Sequence, residues 1–215
     1  EGGLATVLIN RPEAMNALTP AMLGGIDDAM AEFEADDELL CAVLTASGSK
    51  AFCTGMDLKE AMPLLTSGDE MGYEDHTKRQ FTDVFKPIIG AVNGYCIAGG
   101  LEMLQGTDIR IAAEHAMFGL GEVRWGIIPT GGSHVKLPRQ IPWAIAMELL
   151  LTGENIDAQR AYETCMINKA VPKGQLMEAA MDYATIFRDS APLVTGMLKR
   201  FVRDEVVNRG PSELS

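Results

Sequence analysis

Short apolar runs, each broken by a glycine-rich turn that leads into a helix, limit the architectures open to this chain. The pattern is sharpest at Asn93-Gly94-Tyr95-Cys96-Ile97-Ala98-Gly99-Gly100-Leu101-Glu102, which opens on a turn dipeptide, meets a glycine pair and ends on a carboxylate. A strand feeding a glycine turn at a helix start leaves backbone N–H groups without intrahelical partners. Such a nest holds a phosphate, or the oxyanion that develops on a carbonyl. No Gly-Lys-Ser/Thr continuation follows it, and there is no GxGxxG, so a nucleotide cradle gains no support. Glu102, answered twenty residues later by Glu122, points to acid–base chemistry on a carbonyl compound.

Residues 4–9, 39–45, 51–53, 88–92, 109–113, 116–119 and 167–171 read as strands. Thr19-Pro20 supplies an N-cap followed by proline at the first helical position. Met22, Ile26, Met30 and Phe33 follow at helical spacing and predict a helix over 20–34. Further helices are expected over 73–85, from Glu102 to about residue 106, over 133–140 and 145–151, and after the capping residue Asp157. Two more close the chain over 175–188 and 192–208. Residues 59–72, Met-rich and irregular, read as a mobile connector flanked by helical pieces, a kind of loop that often covers a site. The strands are too short for a doubly wound sheet, so the class is α/β with repeated strand, short strand and helix, then helices alone.

A chain of 215 residues is expected to form one domain. Its formal charge of −12 argues against nucleic-acid binding. No apolar run is long enough for a bilayer. Cys41, Cys53, Cys96 and Cys165 form no CxxC pair and read as reduced and structural, which suits an intracellular, cytoplasmic protein. The three histidines are too scattered for a metal site. The chain opens at Glu1 without an initiator Met, so it says nothing about a targeting peptide.

Several segments taken together resemble the crotonase family, whose best-known member is enoyl-CoA hydratase. They are Leu8-Ile9-Asn10-Arg11-Pro12 with Asn16-Ala17-Leu18, Ala51-Phe52-Cys53-Thr54-Gly55-Met56-Asp57-Leu58, and Ala91-Val92-Asn93-Gly94 through Glu102. Phe118-Gly119-Leu120-Gly121-Glu122 and Gly126-Ile127-Ile128-Pro129 with Gly131-Gly132 complete the set. Glycine turns are common singly; five such segments in order and spacing are specific.

The resemblance implies a spiral of ββα units over 1–190. It also implies the start of a C-terminal helical trimerisation region over 191–215, shorter than the family's usual C-terminus. Homotrimers or hexamers built from two trimers are expected. An acyl-CoA thioester would bind with its carbonyl oxygen between the N–H groups of Met56 and Gly99. Asn16, Ala17, Leu18, Ala51, Phe52 and Thr54 match segments that line CoA, and Arg11, Lys50 and Lys59 would neighbour its phosphates. Met62, Leu64 and Leu65 would line an acyl pocket or pack a lid.

Glu102 and Glu122 match the two glutamates of true hydratases. The implied reaction is syn addition of water to a trans-2-enoyl-CoA, as in β-oxidation of fatty acids, giving a 3-hydroxyacyl-CoA. It would use no metal and no cofactor beyond the CoA of the substrate. Dehydration of a carnitinyl-type or other polar acyl-CoA, or non-catalytic acyl-CoA binding, are the alternatives. Spacing alone leaves Glu102 equally a helix-capping acid and Glu122 equally a solvated loop acid. Asp57 reads as a helix-starting or loop-bracing residue. Three positions depart from the family pattern: Met56 stands where a small residue is commoner, Gly121 for a proline and Cys165 for a glycine.

Overall fold

A computed structural model describes residues 2–67, 76–77 and 80–204. Two sheets are filled alternately as the chain advances. The first contains β1 (Leu4–Ile9), β2 (Cys41–Ala46), β4 (Ile88–Val92), β6 (Ile109–Ala113) and β9 (Lys169–Val171), all parallel and in that order. The second has the order β3 (Ala51–Cys53), β5 (Tyr95–Ile97), β7 (Met117–Gly119) and β8 (Ile156–Asp157), parallel except for the last pair. Each turn of chain thus lays one strand in each sheet before a helix: β2, β3, then α2 (Leu58–Ser67); β4, β5, then α3 (Gly99–Leu104). This is the expected spiral of ββα units.

The first sheet is covered on both faces, which is why its strands are continuously apolar. Side chains alternate across a strand. Cys41 and Val43 of β2, with Ile89 and Ala91 of β4, accordingly pack on Leu176, Ala180 and Ala184 of α7 (Leu176–Arg188). Ala42, Leu44, Ile88 and Val92 face the other way, into a core with Met30 and Phe33 of α1 (Pro20–Ala35). Thr19 caps α1 by accepting the Met22 N–H at 3.2 Å, with Pro20 next, as the sequence predicts. Glycine permits two close approaches to β3, one by the turn between β4 and β5 and one by α3. A Cβ on Gly94 would collide with the Lys50 carbonyl, and one on Gly100 with the Cys53 carbonyl.

Two expectations are corrected. Within 73–85 the described residues form turns rather than a helix. The buried Asp27 carboxylate takes the N–H groups of His76 (2.6 Å) and Thr77 (3.1 Å), together with the Thr77 hydroxyl. Glu34 takes those of Phe85 (3.0 Å) and Lys86 (3.1 Å), and Gln80 and Phe81 adopt positive φ. Carboxylates on α1 therefore take donors that a helix would have bonded internally. Residues 58–67, expected to belong largely to a connector, form α2 with Pro63 inside it. The rest of that expected connector, and the side chains of Met62, Leu64 and Leu65, lie outside the described residues.

The remaining helices follow the periodicity closely. They are α4 (Ser133–Gln140), α5 (Trp143–Thr152, closed by Gly153 in the left-handed region), α6 (Ala158–Glu163, capped by Asp157) and α8 (Pro192–Val202). The stretch expected to carry the last helix on to residue 208 lies beyond the described residues after 204.

Candidate active site

The stretch that opens the sequence argument forms β5, a sharp turn and α3. Ala98, the N-cap of α3, sits at φ 50° and ψ −129°, a conformation that costs a non-glycine residue roughly 1–3 kcal/mol. Its backbone is pinned on both sides. The Ala98 N–H donates to the Gly119 carbonyl (2.9 Å), while its own carbonyl accepts from Leu101 (2.9 Å) and Glu102 (3.0 Å).

Opposite, Gly55 holds φ 87°; a Cβ there would lie 2.8 Å from the Ala98 Cβ and 3.0 Å from the Gly99 nitrogen. Met56 pairs in parallel with Leu18 through the flanking Gly55 carbonyl and Asp57 N–H, which turns its own N–H away from that partner. A Cβ on Gly99 would be 3.8 Å from the Met56 nitrogen. The two N–H groups singled out in the sequence therefore lie side by side, and neither donates to another backbone carbonyl among the described residues.

Glu102 lies in the first turn of α3 and is 6% exposed. Its Oε1 accepts the N–H of Ser133, the first residue of α4, at 3.2 Å. Its Oε2 lies against Gly131, where an added Cβ would come within 2.6 Å of that oxygen and 2.8 Å of Gln80 Nε2. The first turns of α3 and α4 thus meet at this carboxylate.

Glu122 stands on a 3₁₀ turn, Gly121–Trp125, that the strand reading did not foresee. Its Oε2 is buried with no hydrogen-bond partner among the described residues. Burial first, and the nearby Glu102 charge with it, raise the Glu122 pKa above the ordinary carboxylate range. A carboxylate anchored by a backbone N–H near another pushed toward the neutral acid is an arrangement that general acid–base chemistry can use.

The residues expected to line CoA gather at the loop before α1 and at β3. Asn16 is buried at φ 54°, and its side chain is fully engaged within the protein. It accepts the Arg11 N–H (2.8 Å) and donates to the Ser47 (3.0 Å) and Ala51 (2.8 Å) carbonyls. Ala51, Phe52 and Leu18 are buried, and the Thr54 hydroxyl donates to the Met15 carbonyl at 3.2 Å. Arg11 forms an ion pair with Asp57 (2.7 Å) and donates to the Ala17 carbonyl (3.2 Å), so Asp57 is a loop brace. Lys50 and Lys59 are exposed. Ser133 is buried against Gln105 Nε2 (2.7 Å), and His134 Nδ1 contacts the Pro129 carbonyl (2.8 Å), so the two are engaged separately. Among the described residues no three His, Cys, Asp or Glu side chains group as metal ligands would. No described helix is long and apolar enough to cross a membrane.

The model of the enoyl-CoA hydratase/isomerase family matches residues 1–215. The chain belongs to this family. Among curated relatives, the enoyl-CoA hydratase EchA19 of Mycobacterium tuberculosis is 39% identical over 209 residues, 94% of this chain and 78% of the relative. The (E)-benzylidenesuccinyl-CoA hydratase of Thauera aromatica is 39% identical over 196 residues, 88% of this chain and 75% of the relative. Among solved structures, a carnitinyl-CoA dehydratase from Mycobacterium avium superposes with a TM-score of 0.87 at 36% identity, covering 95% of this chain and 80% of that one.

Two departures from the family pattern acquire physical meaning here. Cys165 occupies φ 62° at the end of α6, where its N–H donates to the Tyr162 carbonyl (3.0 Å) and that of Met166 to Ala161 (2.9 Å). This is a Schellman end, and glycine is the residue that takes its left-handed position without strain. At Gly121 a Cβ would meet nothing within 4 Å, so a side chain is absent there without steric need. Sequence reasoning missed Gln105, Ser133 and Gly131 as partners of Glu102. For Gln105 the signal was present: it lies three residues past Glu102, on the same helical face.

Proposed function

We propose that the protein is an enoyl-CoA hydratase-type hydro-lyase that adds water syn across a trans-2-enoyl-CoA to give a 3-hydroxyacyl-CoA. The observation that carries this reading is the half-buried Glu122 carboxyl, its Oε2 without a partner among the described residues, near enough to Glu102 to feel its charge, with the Met56 and Gly99 N–H groups close to one another. The thioester oxygen accepts both N–H groups, which draws electron density from the β-carbon; one such donor is worth about 2.7–4 kcal/mol in the transition state. Glu102 takes a proton from water as its oxygen bonds the β-carbon. The neutral Glu122 gives its proton to the α-carbon as the enolate collapses. Exchange with solvent then returns each glutamate to its starting state. Water and proton arrive from one side of the alkene, which makes the addition syn. No group beyond the substrate's own CoA is needed.

In this reading Asn16, Ala17, Leu18, Ala51, Phe52 and Thr54 meet CoA chiefly through backbone, since Asn16 and Thr54 spend their side chains internally. Residues 1–190 form the catalytic spiral, and 191–215 begin a region that assembles trimers or hexamers. The exposed Leu193, Val194, Leu198 and Phe201 of α8 supply apolar surface for that assembly.

Run in reverse, the same pair dehydrates a 3-hydroxyacyl-CoA. Kinship with a carnitinyl-CoA dehydratase structure keeps a polar acyl group as the second reading. Loss of the conjugated thioester absorbance of crotonyl-CoA on adding protein tests the proposal, and a panel of chain lengths and polar acyl groups assigns the substrate. Glu102→Gln and Glu122→Gln should each lower the rate by at least about 10²-fold. A near-normal rate in either variant overturns the assignment.

A further inference from the structure

Glu102 and Gln105 grip the same residue from two sides. Glu102 Oε1 accepts the Ser133 N–H at 3.2 Å, and Gln105 Nε2 donates to Ser133 Oγ at 2.7 Å. Ser133 is completely buried and Gln105 is 2% exposed. Gln105 Oε1 has no partner among the described residues, so the amide spends its bonding on Ser133 alone. The Gln105 backbone is fixed as well. Its carbonyl accepts from Gln140 Nε2 (2.9 Å) and from Arg110 Nη2 (3.3 Å), and Arg110 Nη2 also donates to Gln140 Oε1 (2.9 Å). Ser133 begins α4, whose N-cap is Gly132 at φ 114°, a residue with no side chain to cap the helix. The direction of the Ser133 N–H therefore depends on what holds Ser133.

We propose that Gln105 is a positioning residue for Glu102: by holding Ser133 Oγ it fixes the N–H that in turn holds the Glu102 carboxylate. The proposal rests on the hydratase reading for the role of Glu102 itself. Without the Gln105 amide, the first turn of α4 is free to shift and the bond to Oε1 lengthens. That bond fixes where the carboxylate oxygen sits, so weakening it misplaces the base. The thioester is held elsewhere, by the Met56 and Gly99 N–H groups, so substrate binding is spared.

The test follows hydration of crotonyl-CoA from about pH 5 to 9 for the wild type, Gln105→Met, Ser133→Ala and the double variant. Binding of the unreactive butyryl-CoA is measured beside it. Methionine keeps the length of the glutamine side chain and removes its amide. Each single change should lower kcat roughly ten- to hundred-fold, with KM and butyryl-CoA affinity held within about threefold. The double variant should be no slower than the slower single one, because both changes cut one relay. Ser133→Ala reads that relay from its other end if Gln105→Met does not fold.

A wild-type protein that leaves crotonyl-CoA and the rest of the acyl panel unchanged sinks the hydratase reading. Wild-type turnover with an unchanged kcat in the variants sinks the positioning role alone. Additive losses, or loss of butyryl-CoA binding, overturn it as well.

Discussion

Gly131→Ala puts a methyl group against the Glu102 carboxylate and the Gln80 amide. Gly131 is not at a positive φ, so alanine costs no backbone strain there. The added Cβ would lie 2.6 Å from Glu102 Oε2 and 2.8 Å from both Glu102 Cδ and Gln80 Nε2, where ordinary contact begins at 3.4 Å. The carboxylate must then retreat by about 0.8 Å (3.4 less 2.6) to restore that contact. A misplacement of ~1 Å at a reacting group costs about 10²-fold in rate. The retreat also strains the bond from the Ser133 N–H; a hydrogen bond to a charged group is worth about 1.5–3 kcal/mol. For a chain of this size the melting temperature should then fall by roughly 3–12 °C. Stopped-flow hydration of crotonyl-CoA should show kcat down by about 10²-fold with KM nearly unchanged, while butyryl-CoA still binds. Hydration at more than about half the wild-type rate would refute the reasoning, because Glu102 could then work from a position the chemistry forbids.

Glu122→Gln should raise the melting temperature near neutral pH while abolishing hydration. Burial keeps the folded pKa of Glu122 above its unfolded value. Its stabilising contribution is therefore present below the unfolded pKa and lost as pH rises through the folded one. The uncharged variant should melt higher than wild type at about pH 7 and converge with it below about pH 4; a constant offset across the range contradicts this. Cys165→Gly should stabilise the fold by about 1 kcal/mol by relieving the left-handed backbone at the end of α6, read as a higher thermal midpoint. An unchanged or lower midpoint removes the strain argument. Asn16→Ala should cost about 2–4 kcal/mol by leaving the Arg11 N–H and two carbonyls unpaired, and should raise KM for crotonyl-CoA more than it lowers kcat. An unaltered KM would separate this loop from CoA.

Where the pattern is local, the residues alone reveal the structure. Thr19-Pro20 opens α1 where expected because a cap and a fixed φ act within a few residues of chain. The alternation of β2 and β4 between the two sheet faces follows from side chains that reverse at each step. Where the helix over 73–85 was expected, the described residues instead give the N–H groups of His76, Thr77 and Phe85 to Asp27 and Glu34, some fifty residues away. No local propensity contains that competition. The same distance hid Ser133 from Glu102.

Sequence alone determined most of the order of strands, glycine turns and helices, with α2, β8 and the stretch over 73–85 as exceptions, and it singled out Glu102, Glu122, Gly99 and Met56. Tertiary structure decided what each of those groups experiences. It set the Ser133 N–H against Glu102, left Glu122 Oε2 buried without a partner among the described residues, and brought the Met56 and Gly99 nitrogens close together beside Gly55. Residue type and spacing specify which groups a chain carries. Proton affinity and hydrogen-bond direction depend on burial and on neighbours brought in from distant turns of the spiral, and these exist only once the chain is folded.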